Sequence, residues 1–375
     1  CRAWTDPGLS RRQYMIVIVS ALVVLVFAWW LTDRLCSPNA FLHLLDHPNE
    51  RSLHRTPTPR TGGLAIIASV VIGLLAAAVV VALSKPSAPV LPKGLASGSV
   101  WIVGSMLLVC VVSFMDDRMG LSASLRFIVQ IAAAVIVVGG VGLTLSSIPI
   151  PMIGTIPLGW MAGPVSAVFL VWMANLYNFM DGMDGFAGGM TVFGFGFLAF
   201  FGWQVGHPFM FLIATLVAVS ALGFLIHNVP PARIFMGDVG SITVGFLAGT
   251  LILLGLRDKV FEFWVPILIF SPFILDATAT LIRRAVGGQK IWEAHREHFY
   301  QRLVLSGWGH QKTVSAEYAV MAVSGLLAVA YQYAGEQWKL GLLVLWAALF
   351  LGLAYAVGHV EEKRRIGIAL REPRT

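Results

Sequence analysis

Two adjacent aspartates, Asp116 and Asp117, end the apolar run SMLLVCVVSFMDDRMGL. Side-by-side carboxylates repel each other, and an apolar border sharpens the repulsion. A pair so placed suits a divalent cation or service as a base. A second acidic stretch, NLYNFMDGMDGFAGG, sets Asn178, Asp181 and Asp184 at i, i+3 and i+6, near one face if helical. Its glycines make an open turn in which backbone N–H groups can reach a ligand. A third, RIFMGDVGSITVGF, places Asp238 in a Gly-flanked turn ahead of Ser241 and an apolar helix. Exposed N–H groups at such a helix start suit a phosphate, and Asp238 could ligate Mg²⁺ nearby. Taken alone, this motif reads better as a plain Asp or Ser N-cap.

Basic residues supply the opposite charge. DHPNERSLHRTPTPRTGG carries Arg51, His54, Arg55 and Arg60, any of which could bind phosphate. Its prolines fix an extended path, and Gly62 and Gly63 permit close backbone approach. For each arginine alone, an ordinary positive-inside loop is as good a description. HREHFYQRL contributes His295, Arg296, His298 and Arg302, which suit a pyrophosphate or a metal, or else one face of an amphipathic interfacial helix. No cysteine lies near enough to suggest zinc. Asp276 sits inside an apolar run, where an acid marks function or fixes helix packing.

These groups need elements to hold them. The chain is 57% hydrophobic and 12% charged, against about 25% charged for soluble domains. A folded core cannot absorb that much apolar surface, so a lipid bilayer must solvate much of it. About eleven apolar runs approach spanning length, with cores near 14–33, 63–83, 99–115, 125–143, 164–180, 187–205, 208–226, 241–256, 263–282, 316–334 and 339–358. The expected fold is all-α, a polytopic integral membrane protein with about eleven transmembrane helices in a single catalytic domain over 1–375. The first run lacks a small-residue cleavage pattern and is read as a retained span. Placing 34–62 in the cytoplasm puts 18 Lys and Arg inside and 8 outside, which predicts the N-terminus out and the C-terminus in. Arg11 and Arg12 pull the other way. Asp46, Asp116, Asp117, Asp181, Asp184 and Asp238 then share the cytoplasmic face. The net charge of +7 reflects cytoplasmic basic residues rather than a nucleic-acid partner. Three cysteines, Cys1, Cys36 and Cys110, imply no disulfide framework.

RTPTPRTGG, FMDDRMGLS, NLYNFMDGMDGFAGG, FMGDVGS and HREHFYQRL, in that order, resemble the motifs of the polyprenyl-phosphate N-acetylhexosamine-1-phosphate transferases (glycosyltransferase family 4). That family includes phospho-N-acetylmuramoyl-pentapeptide transferase. The last motif departs from the three-histidine pattern of the peptidoglycan enzyme and looks like the branch that initiates O-antigen-type polysaccharides. The resemblance implies transfer of a sugar 1-phosphate from a UDP-N-acetylhexosamine (GlcNAc, or a 6-deoxy sugar such as QuiNAc or FucNAc) to undecaprenyl phosphate, releasing UMP. It implies a bacterial inner membrane location and an active site facing the cytoplasm, built from 34–62, 115–126, 178–189, 227–241 and 284–315. It implies Mg²⁺, with Mn²⁺ as a substitute, on Asp238 and Asp117. Asp116 lies beside them, and one of the two adjacent aspartates is a candidate base. Asn178 and Asp181 would support the metal or diphosphate, and Asp184 and Phe235 would meet uracil. His295, Arg296, His298 and Arg302 would hold the sugar-phosphate end, with Arg60 and His54 as further substrate contacts. A homodimer is compatible with the sequence. The rival readings are a transporter or flippase, which should place its acids near the bilayer midplane, and a scaffold, which leaves five polar motifs on one face without a purpose.

Overall fold

The computed structural model describes residues 9–40, 42, 44–48, 53, 56–83, 93–290 and 295–369. In lipid every backbone polar group must be satisfied within the segment, and helices do this for long apolar runs. The helices are α1 (Arg11–Cys36), α2 (Gly62–Leu83), α3 (Lys93–Met119), α4 (Ala123–Val141), α5 (Ala162–Met180), α6 (Phe186–Gln204), α7 (Pro208–Asn228), α8 (Gly237–Arg257), α9 (Trp264–Ile269), α10 (Ser271–Val286), α11 (Phe299–Leu303), α12 (Gly309–Tyr333) and α13 (Glu336–Ala369). A π turn, Val304–Trp308, joins α11 to α12. A 3-10 turn, Gly159–Met161, precedes α5, and there are two antiparallel ladders among the described residues: β1 (Leu45–Asp46) with β2 (Thr58–Pro59), and β3 (Ser147–Ile150) with β4 (Gly154–Pro157).

Ten helical segments among the described residues are long and apolar enough to cross a membrane, so the all-α polytopic reading holds. The expected run at 263–282 is different. It is broken into α9 and the 16-residue α10. Pro272 has no N–H to continue the ladder, and the Ser271 hydroxyl donates to the Leu268 carbonyl at 2.7 Å instead.

Helix α8 is the axis of the bundle. It is buried along nearly its whole length, packed by α5, α3 and α2. Its small residues make this fit, as is usual for helices in lipid. Gly245 lies against Met173 and Tyr177 of α5, and Gly240 against Gly63 of α2. At its N-terminal end, Gly62 N–H donates to Phe235 O at 2.9 Å and Gly63 N–H to Met236 O at 2.7 Å. Phe235 N–H in turn donates to Pro59 O at 2.7 Å. The β1–β2 ladder, the start of α2 and the approach to α8 are thereby one hydrogen-bonded unit.

A Cβ on Gly63 would overlap the backbone of Gly240. Gly63→Ala should therefore destabilise the purified protein by about 1–3 kcal/mol, as overpacking does. Gly139→Ala is the control, because a Cβ there meets nothing within 4 Å. Thermal melts in one detergent should show Gly63→Ala well below wild type and Gly139→Ala level with it.

Candidate active site

Alternating helices bring α3, α5 and α7 to an end where α2, α4, α6 and α8 begin, and the polar motifs gather there. Asp116 and Asp117 occupy the last turn of α3 and are buried. Asp116 Oδ1 accepts the Leu121 N–H at 2.8 Å, and its Oδ2 accepts Arg126 Nη1 at 2.7 Å. The same Arg126 nitrogen lies 3.4 Å from Asp238 Oδ2. Asp117 is held by Arg60, whose Nη2 donates to the Asp117 carbonyl at 2.7 Å while Nη1 lies 3.4 Å from Oδ1. Arg60 Nε is buried without a partner.

The start of α8 is the hub. Gly237 has φ +71°, and a Cβ there would strike the Arg60 carbonyl, so this turn needs glycine. No side chain of its own caps the helix. Carboxylates from other helices approach the free N–H groups instead: Asp117 Oδ2 accepts Val239 N–H at 3.3 Å, and Asp181 lies near Gly237 N–H. Asn178 Nδ2 donates to Asp238 Oδ1 at 2.8 Å and to Ser241 Oγ at 3.1 Å. Asp181 terminates α5, just outside the membrane-spanning helix. Burial, followed by the negative charge of Asp238, pushes its carboxyl well above the usual carboxylate range, and the Gly237 N–H opposes this.

Asp184 and Phe235 lie on neighbouring loops. Ala232 N–H donates to Asp184 Oδ2 at 3.1 Å, and Phe235 is half-buried two residues before Gly237. The fifth motif joins through Tyr300, whose hydroxyl reaches the Phe179 carbonyl at 3.5 Å and also contacts Gly182. His298 is buried beside Asp276, Nδ1 to Oδ1 3.1 Å. Asp276 also accepts the N–H groups of Phe299 and Tyr300 at 2.9 and 3.2 Å, so it caps α11 as well as pairing with the histidine. His295 packs on His298 with ring centroids 4.9 Å apart. Burial, then the neighbouring His298 and Arg284, hold the His295 imidazole down to about 4. It is therefore neutral at physiological pH. Arg296 is half-buried with no ion pair among the described residues. Arg302 does not point to the acidic cluster; its guanidinium forms a two-pronged pair with Glu361 of α13. His54, with Arg51 and Arg55, lies outside the described residues.

Two comparisons bear on this arrangement. Residues 99–256 match the profile of glycosyl transferase family 4. Over 361 residues, 95% of this chain and 96% of the relative, the sequence is 31% identical to a probable undecaprenyl-phosphate N-acetylglucosaminyl 1-phosphate transferase of Bacillus subtilis. The chain belongs to glycosyl transferase family 4. Other relatives are the decaprenyl-phosphate N-acetylglucosaminephosphotransferase of Mycobacterium leprae, 30% identical over 94% of this chain and 92% of that protein, and the phospho-N-acetylmuramoyl-pentapeptide-transferase of Staphylococcus aureus, 28% identical over 74% of this chain and 86% of that protein. The chain is an enzyme of the glycosyl-1-phosphate transferase class.

In this family 4 enzyme the donors offered by Asp116, Asp117, Asp181 and Asp238 are all oxygen, the chemistry that Mg²⁺ prefers. Among the described residues no three His, Cys, Asp or Glu side chains converge to hold a metal by themselves. Mg²⁺ usually takes one or two carboxylates and completes its shell with water and substrate phosphate, so a pair of carboxylates fits that mode. Arg126 was not singled out from sequence. Its signal was a cation in the first turns of α4, where the helix dipole disfavours positive charge; only a nearby acid justifies it.

The raised Asp181 value sets a pH dependence. Between about 4, where a free Asp titrates, and that higher value, the folded protein keeps a proton that the unfolded chain releases. Metal-free stability therefore falls as pH rises through this window. Asp181→Asn should make that slope shallower, measured as melting temperature against pH in the presence of EDTA, and should be more stable than wild type on the alkaline side.

Proposed function

We propose that this enzyme transfers N-acetylglucosamine 1-phosphate from UDP-N-acetylglucosamine to undecaprenyl phosphate at the cytoplasmic face of the bacterial inner membrane. The product would be the first lipid-linked intermediate of an O-antigen or related envelope polysaccharide. The observation that carries the reading is the junction at the start of α8, where Asp117, Asp238 and Asn178 meet Arg60 and Arg126 within hydrogen-bonding or ion-pair distance. The activities of the two N-acetylglucosamine relatives favour that sugar over the 6-deoxy alternatives. The excess of Lys and Arg on the same side as the acids favours the cytoplasm.

The transfer exchanges one phosphoanhydride bond for another. An oxygen of the acceptor phosphate bonds to the β-phosphorus of the donor, the bond to the α-phosphate oxygen breaks, and UMP leaves. Both reactants are polyanions, so positioning and charge neutralisation carry most of the catalysis. Bound Mg²⁺ would supply much of that neutralisation, with Asp117 and Asp238 as its protein ligands. Asn178 fixes the orientation of Asp238. Arg60 and Arg126 are within reach to share their charge with incoming phosphates. A phosphate monoester is mostly ionised at neutral pH, since its second pKa is about 6, so Asp116 and Asp117 act by placement rather than by obligatory proton removal. For the apolar tail, a cavity of about 510 Å³ between α10, α12 and α13 is lined by Leu275, Ile282, Phe299, Trp346 and Phe350. It adjoins the His298–Asp276 pair and would accept part of a polyprenyl chain.

Purified protein with undecaprenyl phosphate, Mg²⁺ and a panel of UDP-sugars should release UMP with UDP-N-acetylglucosamine. EDTA should stop the release, and added Mg²⁺ or Mn²⁺ should restore it. Asp117→Asn and Asp238→Asn should each lower kcat by at least about 10²-fold, the scale of losing one electrostatic stabiliser. Full activity in either variant would refute the site assignment. A different preferred UDP-sugar would overturn the N-acetylglucosamine reading alone.

A further inference from the structure

His310 belongs to none of the five motifs, yet it touches one of the site carboxylates. It is the second residue of α12. Its Nδ1 is buried and lies 3.2 Å from Asp184 Oδ1, at ion-pair distance but off the alignment of a hydrogen bond, and it makes no hydrogen bond among the described residues. The backbone of Leu53 approaches the same imidazole. Toward a carboxylate the ring is attractive when it presents an N–H or a positive charge, so the pair holds Asp184 electrostatically. The Asp184 side chain is 13% exposed and that of His310 19%, little enough that water does not screen the pair as it screens surface ion pairs.

The contact closes a ring around the two loops that carry Asp184 and Phe235. Ala232 N–H fixes the second Asp184 oxygen at 3.1 Å. Asn228 staples the loops together: its Oδ1 accepts Gly185 N–H at 3.0 Å, and its Nδ2 donates to Ile234 O at 2.8 Å. Two turns along α12, Tyr318 donates its hydroxyl to Gly185 O at 2.8 Å. One helix thus grips the loop at Asp184 and again at Gly185. Left without these contacts, a carboxylate on a Gly-rich loop would sample many orientations, and recognition of a base edge requires one.

We propose that His310, with Tyr318 behind it, is a positioning residue for nucleotide recognition. By holding one oxygen of Asp184, it aims the remaining lone pairs at the N3–H of a uracil ring lying near Phe235. The inference rests on the reading that Asp184 and Phe235 meet uracil. The chemistry selects against cytosine, whose N3 carries no hydrogen and would face the carboxylate as a second acceptor. A site built to bond an N–H rejects the analogue that lacks it far more strongly than an apolar pocket does.

The test uses the full-length protein in detergent, with steady-state kinetics in UDP-N-acetylglucosamine and product inhibition by UMP compared with CMP. His310→Ala should raise KM about tenfold with kcat within about twofold. It should also reduce the preference for UMP over CMP by about tenfold, the scale of one misplaced hydrogen bond. His310→Asn keeps a donor and should recover most of both. Tyr318→Phe removes only the hydroxyl and should shift the same two quantities in the same direction by less; it serves as the test if His310→Ala does not accumulate. A merely structural histidine would lower the melting temperature without moving the UMP to CMP ratio. A wild type that selects UMP, with an equally selective His310→Ala, overturns the proposal alone. A wild type that does not distinguish UMP from CMP overturns the uracil reading and this proposal with it.

Discussion

The start of α8 has N–H groups that its own sequence does not cap, and the polar end of the bundle is organised around that fact. Asp117 arrives from α3 to take Val239 N–H, and Asp181 arrives from the end of α5 to lie near Gly237 N–H. An anion at a helix N-terminus is favoured by about 0.3–1 kcal/mol at the surface and up to about 2 when partly buried. The stabilisation is modest, but the geometric consequence is large. Two helices that share no sequence neighbourhood are aligned against a third, and their carboxylates are brought beside Asp238. The backbone pairing of Gly62 and Gly63 with Phe235 and Met236 fixes the same turn from the other side and delivers Arg60.

That convergence creates a charge problem, which the protein answers with two arginines. Arg126 lies between Asp116 and Asp238, and Arg60 lies on Asp117. A guanidinium suits the position because it stays charged and offers several donors in a fixed plane. Its donors can also turn to phosphate, which a guanidinium grips with two parallel hydrogen bonds as it does a carboxylate. The two arginines offset part of the acidic charge gathered at this end of the bundle. Asp181 has no arginine of its own among the described residues, and burial, followed by the charge of Asp238, raises its proton affinity.

Much of this was legible in the sequence. Composition and run length set the all-α membrane architecture, since lipid leaves few alternatives. The acidic motifs were visible because an acid beside an apolar run requires a reason. What could not be read was pairing over distance. Arg302 looked like a phosphate ligand beside two histidines, and the structure couples it to Glu361, 59 residues on, which no local pattern announces. Asp276 gave no sign of whether it served packing or chemistry; it caps α11 and holds His298 at once. The break between α9 and α10 was marked by Pro272 in plain view, but apolarity across it imitated a single span.

The same limit explains why His310 and Tyr318 of α12 escaped notice. A motif is recognised by clustered polar residues, whereas His310 and Tyr318 stand eight residues apart on a helix that otherwise reads as a membrane span. Helical periodicity brings such positions near one face, and that face meets the loop holding Asp184. The π turn ahead of α12, with Gly307 and Gly309 at positive φ, links the helix to the short α11 that carries the fifth motif. An element that touches both the Asp184 loop and the His298 segment is in a position to keep their spacing constant. The proposed reaction would hold a nucleotide at one end and a sugar phosphate at the other, and the two ends of one chain segment, rather than any single motif, would then set that spacing.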